Sequence, residues 1–405
     1  MDLMPILSTL RRHKTAASLI VLEIALTSAI VCNAAHLIVT RYQRLAADSG
    51  VAEKELVLMA ARPTTAGDNP DGTTAQDLAA LRAIPGVKSV TLTNQIIYGN
   101  NSNNSGVKLA PGPQENRVSA SNYTMAEGGI ETMGLKLIEG RDFKPEEFQS
   151  GFVLNTQAEP KVGQVVINRA LAQRMFPNQS ALGQTIYVYG DTPSTVIGIV
   201  EALPHPYPGR RSGSQGYAML FPVKPSFRGG SYLLRADPTR HNEVIKAATA
   251  ALEGVDRTRI IPEGKTLTEM RATYFAQDRA MIGLMSGVIV ALMVVTAFGI
   301  VGLASFWVAQ RTRMIGTRRA LGATKAQIRH YFQLENFLLS SLGITLGLAG
   351  AVGLSLLMMG SYEMPRLPWL YLPVGALALW LLGQAAVLAP ARRAAALPPV
   401  AALRS

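Results

Sequence analysis

Four apolar runs mark the chain: Ala16 to Val39, Ala280 to Val308, Tyr331 to Met359 and Leu370 to Ala389. At a rise of about 1.5 Å per residue each can cross a hydrocarbon core about 30 Å thick, and the second and third have residues to spare for tilt or extension. The first run exceeds the core of a typical signal peptide, about 7–15 residues, so it reads as an uncleaved anchor rather than a leader. Glycines repeat along the second run (Gly283, Gly287, Gly299, Gly302) and the third (Gly343, Gly347, Gly350, Gly353). Small residues let membrane helices approach closely, so these are expected packing faces.

The stretch between the first and second runs has no spanning segment and reads as an α+β domain. Alternating or β-rich patterns predict strands at Glu55 to Ala60, Val87 to Thr93, Val165 to Asn168, Thr185 to Tyr189, Thr195 to Val200, Tyr217 to Phe221 and Tyr232 to Arg235. Helical spacing predicts Thr73 to Ile84, capped by Thr73 or Thr74, then Arg169 to Phe176 and His241 to Leu252. With the turn at Pro85-Gly86, the first strand, helix and strand suggest a small βαβ unit. Asn100 to Gly106 and Pro204 to Gly216 read as flexible loops, and Met270 to Asp278 as an unbroken helical lead into the second span.

The formal net charge of +12 alters this picture because of where the cations lie. They cluster beside apolar runs, which favours membrane topology and lipid headgroups over nucleic acid. Arg11, Arg12, His13 and Lys14 precede the first run, the segment Gln310 to Glu335 separates the second from the third, and Arg392 and Arg393 follow the fourth. All three segments are therefore expected in the cytoplasm. The large domain and the loop Gly360 to Trp369, with Glu363 against Arg366, are expected outside, with Trp369 and Tyr371 as interface anchors. Arg41 and Arg44 count the other way, but the charge rule weakens for long translocated segments. The single cysteine, Cys32, excludes intrachain disulfides and CxxC metal sites, and the bulky Val31 before it fits a lipid-modification signal poorly.

No phosphate-binding G-x-x-x-x-G-K-[ST] loop, H-E-x-x-H or paired-histidine pattern, or G-x-S-x-G elbow occurs, so no catalytic, cofactor or metal site is expected in this chain. Two carboxylates are candidates for intramembrane function, Glu23 within the first span and Glu335 at the start of the third. A charge there costs about 2.5–3.5 kcal/mol on insertion scales. For Glu23 the alternative is access to water or a neighbouring helix, and His36 is expected at the interface. The loop before Glu335 holds Arg311, Arg313, Arg318, Arg319, Lys325 and Arg329 without an acidic residue among them. Thr324 to Glu335 is expected to form a short helix along the membrane, started by Gly322 or Thr324. From charge alone it is either a topology signal that binds lipid phosphates or a coupling helix docked on an acidic protein.

Several longer motifs decide between these. They are Arg311 to Glu335, the ending P-A-R-R-A-A-A-L-P-P-V-A-A-L-R at Pro390 to Arg404, and three outside segments: G-L-K-L-I-E-G-R-D-F at Gly134 to Phe143, V-V-I-N-R-A-L-A-Q-R-M-F-P at Val165 to Pro177 and A-L-G-Q-T-I at Ala181 to Ile186. Together they resemble the MacB/FtsX-type permeases of ABC transporters over essentially the whole chain. The resemblance implies one span, a periplasmic domain with porter-like and β-rich parts, and three further spans. It also implies a dimer of permeases working with a separate dimer of cytoplasmic ATPase subunits, which bind the ATP and Mg. In such systems ATP-driven motion passes across the membrane to the periplasmic domain, sometimes with a periplasmic adaptor; some members act in lipoprotein release or cell-wall hydrolase control. Gln310 and Met314 stand where the family often has acidic residues, and Thr317 where it has an aliphatic one. The loop is correspondingly more basic, and its acidic complement is expected on the partner.

The expected fold is thus a membrane protein of four transmembrane α-helices with a large α+β periplasmic domain inserted between the first and second. Its divisions are 1–41 (N-terminus and first span), 42–278 (periplasmic domain), 279–309 (second span), 310–330 (coupling loop), 331–391 (third and fourth spans) and 392–405 (C-terminus), in a bacterial inner membrane. The expected function is that of a permease subunit, without a fused ATPase domain, in an efflux or mechanotransmission system. The ATPase-facing surface is assigned to Arg311, Arg313, Arg318, Arg319, Gly322, Lys325 and Arg329. Other partners are a second permease copy and membrane lipids, not nucleic acid. The alternatives are a non-exporting transmitter that regulates a periplasmic hydrolase or sensor, and a membrane-anchored extracytoplasmic enzyme. In a Cys32→Ser background, a membrane-impermeant maleimide should label Ser102→Cys from outside and Ala326→Cys only from the cytoplasmic side.

Overall fold

The computed structural model describes residues 14–64, 69–99, 101–113, 117–154, 161–208, 216–362 and 368–396. Expectations resting on Arg11, Arg12, His13, Asn100, Glu363, Arg366, residues 209–215 and the chain after Ala396 lie outside the described residues. The described residues open with α1 (Lys14–Ala46). Then come β1 (Leu56–Met59), α2 (Pro70–Arg82), β2 (Val87–Thr93), β3 (Asn104–Val107), β4 (Val118–Thr124), α3 (Gly129–Met133), β5 (Leu137–Gly140), β6 (Gln149–Ser150) and α4 (Gly151–Leu154). Next are β7 (Gln164–Asn168), α5 (Arg169–Met175), β8 (Thr185–Tyr187), β9 (Pro193–Val200), β10 (Ala218–Phe221), β11 (Val223–Lys224), β12 (Ser231–Ala236), α6 (His241–Val255), β13 (Lys265–Thr266) and α7 (Leu267–Tyr274). Four helices close the described residues: α8 (Ala276–Gln310), α9 (Thr312–Ala320), α10 (Lys325–Tyr362) and α11 (Tyr371–Ala396). Two compact units result: the inserted domain, from Ala46 to Ala276, and the helices on either side of it.

In the inserted domain the smaller sheet has the order β13-β1-β12-β2. Both β1 and β2 run antiparallel to β12, so they are parallel to each other with β12 between them. The expected βαβ unit is present, but it is split by a strand from far along the chain. Helices α2 and α6 cover it, burying Val57, Leu81, Leu92, Leu234, Val244 and Leu252. The larger sheet is mixed, with the order β3-β4-β10-β7-β9-β5 and β8 beside β9. Its core packs Val165, Ile167, Ile186, Val196, Met219 and Phe221.

Three local expectations are corrected. Helix α2 is capped by Asn69, not by Thr73 or Thr74: the Asn69 Oδ1 accepts from the Gly72 N–H at 2.8 Å, and Pro70 fills a first-turn position that lacks an N–H anyway. Part of the polar loop before Gly106 is strand β3, because the buried Gln95 amide holds it: Gln95 Oε1 accepts from the Asn103 N–H at 2.6 Å and Nε2 donates to the Asn122 carbonyl at 3.1 Å. The lead into the second span is broken at Phe275, which leaves helical geometry (φ −91°, ψ 8°) between α7 and α8.

Burial of charge is tightest under the smaller sheet. The Arg259 guanidinium donates to both oxygens of Asp77 at 2.6 and 2.8 Å and to the Leu252 carbonyl at 2.9 Å, with side chains 1% and 0% exposed. The Tyr232 hydroxyl also donates to Asp77, and burial followed by that carboxylate pushes its phenol well up. The ion pair ties α2 to the segment between α6 and β13.

The other unit is held by close helix contacts. A Cβ at Gly347 would lie 2.5 Å from the Ala25 carbonyl oxygen, and one at Gly343 would lie 2.9 Å from the Ile24 Cβ, so α10 meets α1 backbone to backbone. Gly375 of α11 receives the buried Cys32, and His36 is buried edge-on against Tyr371, 5.2 Å between centroids. Hydroxyls of Thr27 and Thr296 join α1 to α8 at 2.9 Å, and Asn33 donates to the Ala351 carbonyl at 3.2 Å. On α8 the expected packing face is used in part: Gly299 lies against the Glu23 carboxylate of α1, whereas a Cβ at Gly283, Gly287 or Gly302 meets nothing within 4 Å among the described residues. Arg41 pairs with Asp278, so one of the two cations that opposed the assigned topology is neutralised.

Arg259→Met should strand the Asp77 carboxylate and lower stability by about 3–5 kcal/mol, with most of the loss recovered in Asp77→Leu/Arg259→Met. Thermal unfolding of the three full-length proteins reads this out.

Candidate functional site

The basic segment folds into a helical hairpin at one end of the helix bundle. Helix α8 stops at Gln310, and Arg311 turns the chain (φ −106°, ψ 14°) into α9. Gly322, at φ +95°, ends α9: its N–H bonds to the Arg319 carbonyl at 3.2 Å, and the Ala323 N–H to that of Arg318 at 3.0 Å. This left-handed cap suits glycine because it lacks a Cβ. Thr324 then starts α10 with a reciprocal cap. Its hydroxyl accepts from the Gln327 N–H at 3.2 Å, and Gln327 Oε1 accepts from the Thr324 N–H at 2.8 Å. The expected start at Gly322 or Thr324 was therefore well placed. The short separate helix Thr324 to Glu335 is corrected, because that stretch is the first part of the 38-residue α10.

The hairpin is anchored from beneath. Ile315 of α9, Ile328, Tyr331 and Phe332 of α10, and Ala391 and Ala394 of α11 form a buried cluster. The Arg319 guanidinium donates to the Ala395 carbonyl at 3.0 Å near the end of α11, where the helix dipole favours a cation. The Arg318 guanidinium lies 4.9 Å from the Tyr331 ring centroid.

Arg311 does not belong to the exposed surface to which the sequence assigned it. Its Nη1 bonds both oxygens of Glu335, at 2.9 and 2.8 Å, with side chains 7% and 1% exposed, and its guanidinium lies 5.5 Å from the Trp307 ring centroid. A buried carboxylate is costly without a partner, and Arg311 is the partner within reach. Glu335 is thus paired and internal. Glu23 lies elsewhere: its carboxylate rests against Gly299 of α8, where a Cβ would come 2.7 Å from Oε1. Gly299 and Arg311 are separated by about 18 Å of helical rise, so the two carboxylates are not brought together.

What remains exposed at this end is Arg313, Gly322, Lys325 and Arg329, with Arg318 and Arg319 half-buried. One further contributor escaped the sequence reading: Leu321, at the turn, is 84% exposed. Arg392 and Arg393, the cations that follow the fourth run, stand exposed near the end of α11. A leucine among cations carries no signal by type; its place before the capping glycine was the only clue. The exposed groups at this end are thus a leucine at the turn and cations of α9, α10 and α11.

A family model described as the MacB-like periplasmic core domain matches residues 24–255, and one described as the FtsX-like permease C-terminal matches residues 286–399. The chain belongs to the MacB/FtsX permease family of ABC transporters. ABC transporter permease YknZ of Bacillus subtilis is 24% identical over 358 residues, covering 85% of this chain and 82% of its own. The macrolide export ATP-binding/permease protein MacB of Chromobacterium violaceum is 27% identical over 297 residues, covering 71% of this chain and 43% of its own. The pyoverdine export ATP-binding/permease protein PvdT of Pseudomonas putida is 30% identical, covering 65% and 42%. The chain thus spans under half the length of these two exporters. The family matches bear out the resemblance and the fold class: a permease with four membrane-spanning helices and an α+β periplasmic-type domain between the first and second.

Arg311→Ala and Glu335→Ala should each destabilise the permease. The double variant should lose less than their sum by about 0.5–3 kcal/mol, as for side chains in contact. Arg313→Ala, at the exposed surface, should stay within about 0.5 kcal/mol of the parent. Thermal midpoints in one detergent check both.

Proposed function

We propose that this permease works with a separate cytoplasmic ATPase dimer, which holds the ATP and Mg, and that the hairpin of α9 and α10 is the surface the ATPase grips. The observation that carries this reading is the division of labour among the basic residues. Arg311, Arg318 and Arg319 are engaged with Glu335, Tyr331 and the Ala395 carbonyl, which fixes the hairpin to the bundle. Arg313, Lys325 and Arg329 are exposed, as is Leu321 at the turn, and are available to a partner. A hairpin fixed to the bundle can transmit the displacement of a protein docked on it, a rigidity that an anchor to lipid phosphates does not require. The ATPase-facing set is accordingly Arg313, Leu321, Gly322, Lys325 and Arg329, supported by Arg318 and Arg319.

In this reading two permease copies, identical or paired with a relative, move with the ATPase cycle. Their motion reaches the inserted domain in the periplasm, where an adaptor protein is the expected recipient. The termini and the hairpin lie on the cytoplasmic side of the inner membrane. The names of the exporters similar to this chain support efflux as the output.

Affinity purification of the full chain from native membranes should bring down an ATP-binding subunit. Arg313→Glu/Lys325→Glu/Arg329→Glu, and separately Leu321→Asp, should each reduce its recovery at least tenfold while leaving the permease's own thermal midpoint near the parent value. Undiminished recovery with both variants would overturn the docking assignment. Recovery of a periplasmic hydrolase or sensor in place of an adaptor would favour the non-exporting transmitter.

A further inference from the structure

The inserted domain is entered just after α1 and left through α7, and one side chain touches both passages. Arg271, on α7, pairs through Nη1 with Glu53 Oε2 at 2.8 Å, and its Nη2 donates to the Ala47 carbonyl at 2.8 Å. Ala47 is the first residue past α1, and Glu53 follows in the short turn before β1. The pair is largely shielded, with side chains 25% and 10% exposed. The same guanidinium lies 5.9 Å from the Tyr98 ring centroid and 6.0 Å from that of Phe275, within range of a cation over an aromatic face.

Tyr98 extends the contact to a third place. It packs on Tyr274 and Phe275 at 5.5 and 5.8 Å between centroids, and its N–H bonds to the Pro206 carbonyl at 2.9 Å. The Tyr274 hydroxyl donates to the Pro208 carbonyl at 3.0 Å. Burial first, then the Glu53 carboxylate beside it, pushes the Tyr98 phenol up. Tyr98 also has φ +63°, the only positive-φ residue other than glycine among the described residues. A bulky side chain holds that conformation only where its surroundings over-determine it, and such positions cluster at functional sites.

We propose that Arg271 is a positioning residue that clamps the two ends of the inserted domain to each other and to the Tyr98 loop, so that the three move as one body. The break at Phe275 sits immediately beyond the clamp, where α7 gives way to α8. An arginine is required: one planar fork reaches a carboxylate and a carbonyl while its face stacks on rings, which an ammonium does not do. The clamp is a property of the inserted domain alone, and it stands or falls independently of what docks on the α9–α10 hairpin.

The test is hydrogen exchange, read by mass spectrometry, on the full chain in lipid nanodiscs without any partner. Arg271→Ala should accelerate exchange at least tenfold in three segments at once, 47–56, 96–99 and 271–276, and leave β7 (Gln164–Asn168) unchanged. Glu53→Gln should give the same three-segment pattern with smaller amplitude, which keeps the test open if Arg271→Ala folds poorly. Arg271→Lys should not restore the protection. Acceleration confined to 271–276, no acceleration at all, or full rescue by lysine would each overturn the proposal.

Discussion

A guanidinium and a carboxylate that leave water together fix the end of the helix bundle. Neither Arg311 nor Glu335 tolerates burial alone, because desolvating one unpaired charge costs more than a span's marginal stability can absorb. Their pairing makes the last turn of α8 and the first turns of α10 obligatory neighbours. The residues between them have to fold back within that fixed gap, and they do so as one short helix and one capped turn. The positions of Arg318, Arg319 and Leu321 all follow from this closure.

The inserted domain uses the same device for a different purpose. Asp77 and Arg259 lock a helix near the start of the domain to a segment near its end, both side chains fully enclosed. Pairs at the periphery, such as Lys88 with Glu55, remain in water and contribute little. Where this chain commits a charge to its interior, it does so to join segments distant in sequence.

The sequence showed most clearly what depends on local pattern. The four spans were legible because a bilayer demands unbroken apolar length, and β1, α2 and β2 because their periods differ. The strand that separates β1 from β2 was not legible as their neighbour, since pairing across more than a hundred residues leaves no local mark. The break at Phe275 was missed because no glycine or proline announces it; the ring is instead captured by Tyr98 and Tyr274. At the candidate site the glycine turn and the cap at Thr324 were legible from turn chemistry. Which arginines face outward was not, since Arg311 and Arg313 are the same residue type two positions apart and only the location of Glu335 separates them.

The glycines of the second and third spans divide in a way that bears on how substitutions are to be interpreted. Those at 343 and 347 are pressed against α1, so a larger residue there disturbs the fold of the chain itself. Those at 283, 287 and 302 have, among the described residues, free space where a side chain would go. Enlarging them disturbs none of the described packing and reports on whatever medium or molecule lies against that side of α8. One chain therefore carries its own matched pair of steric probes, one turned inward and one outward, built from the same residue.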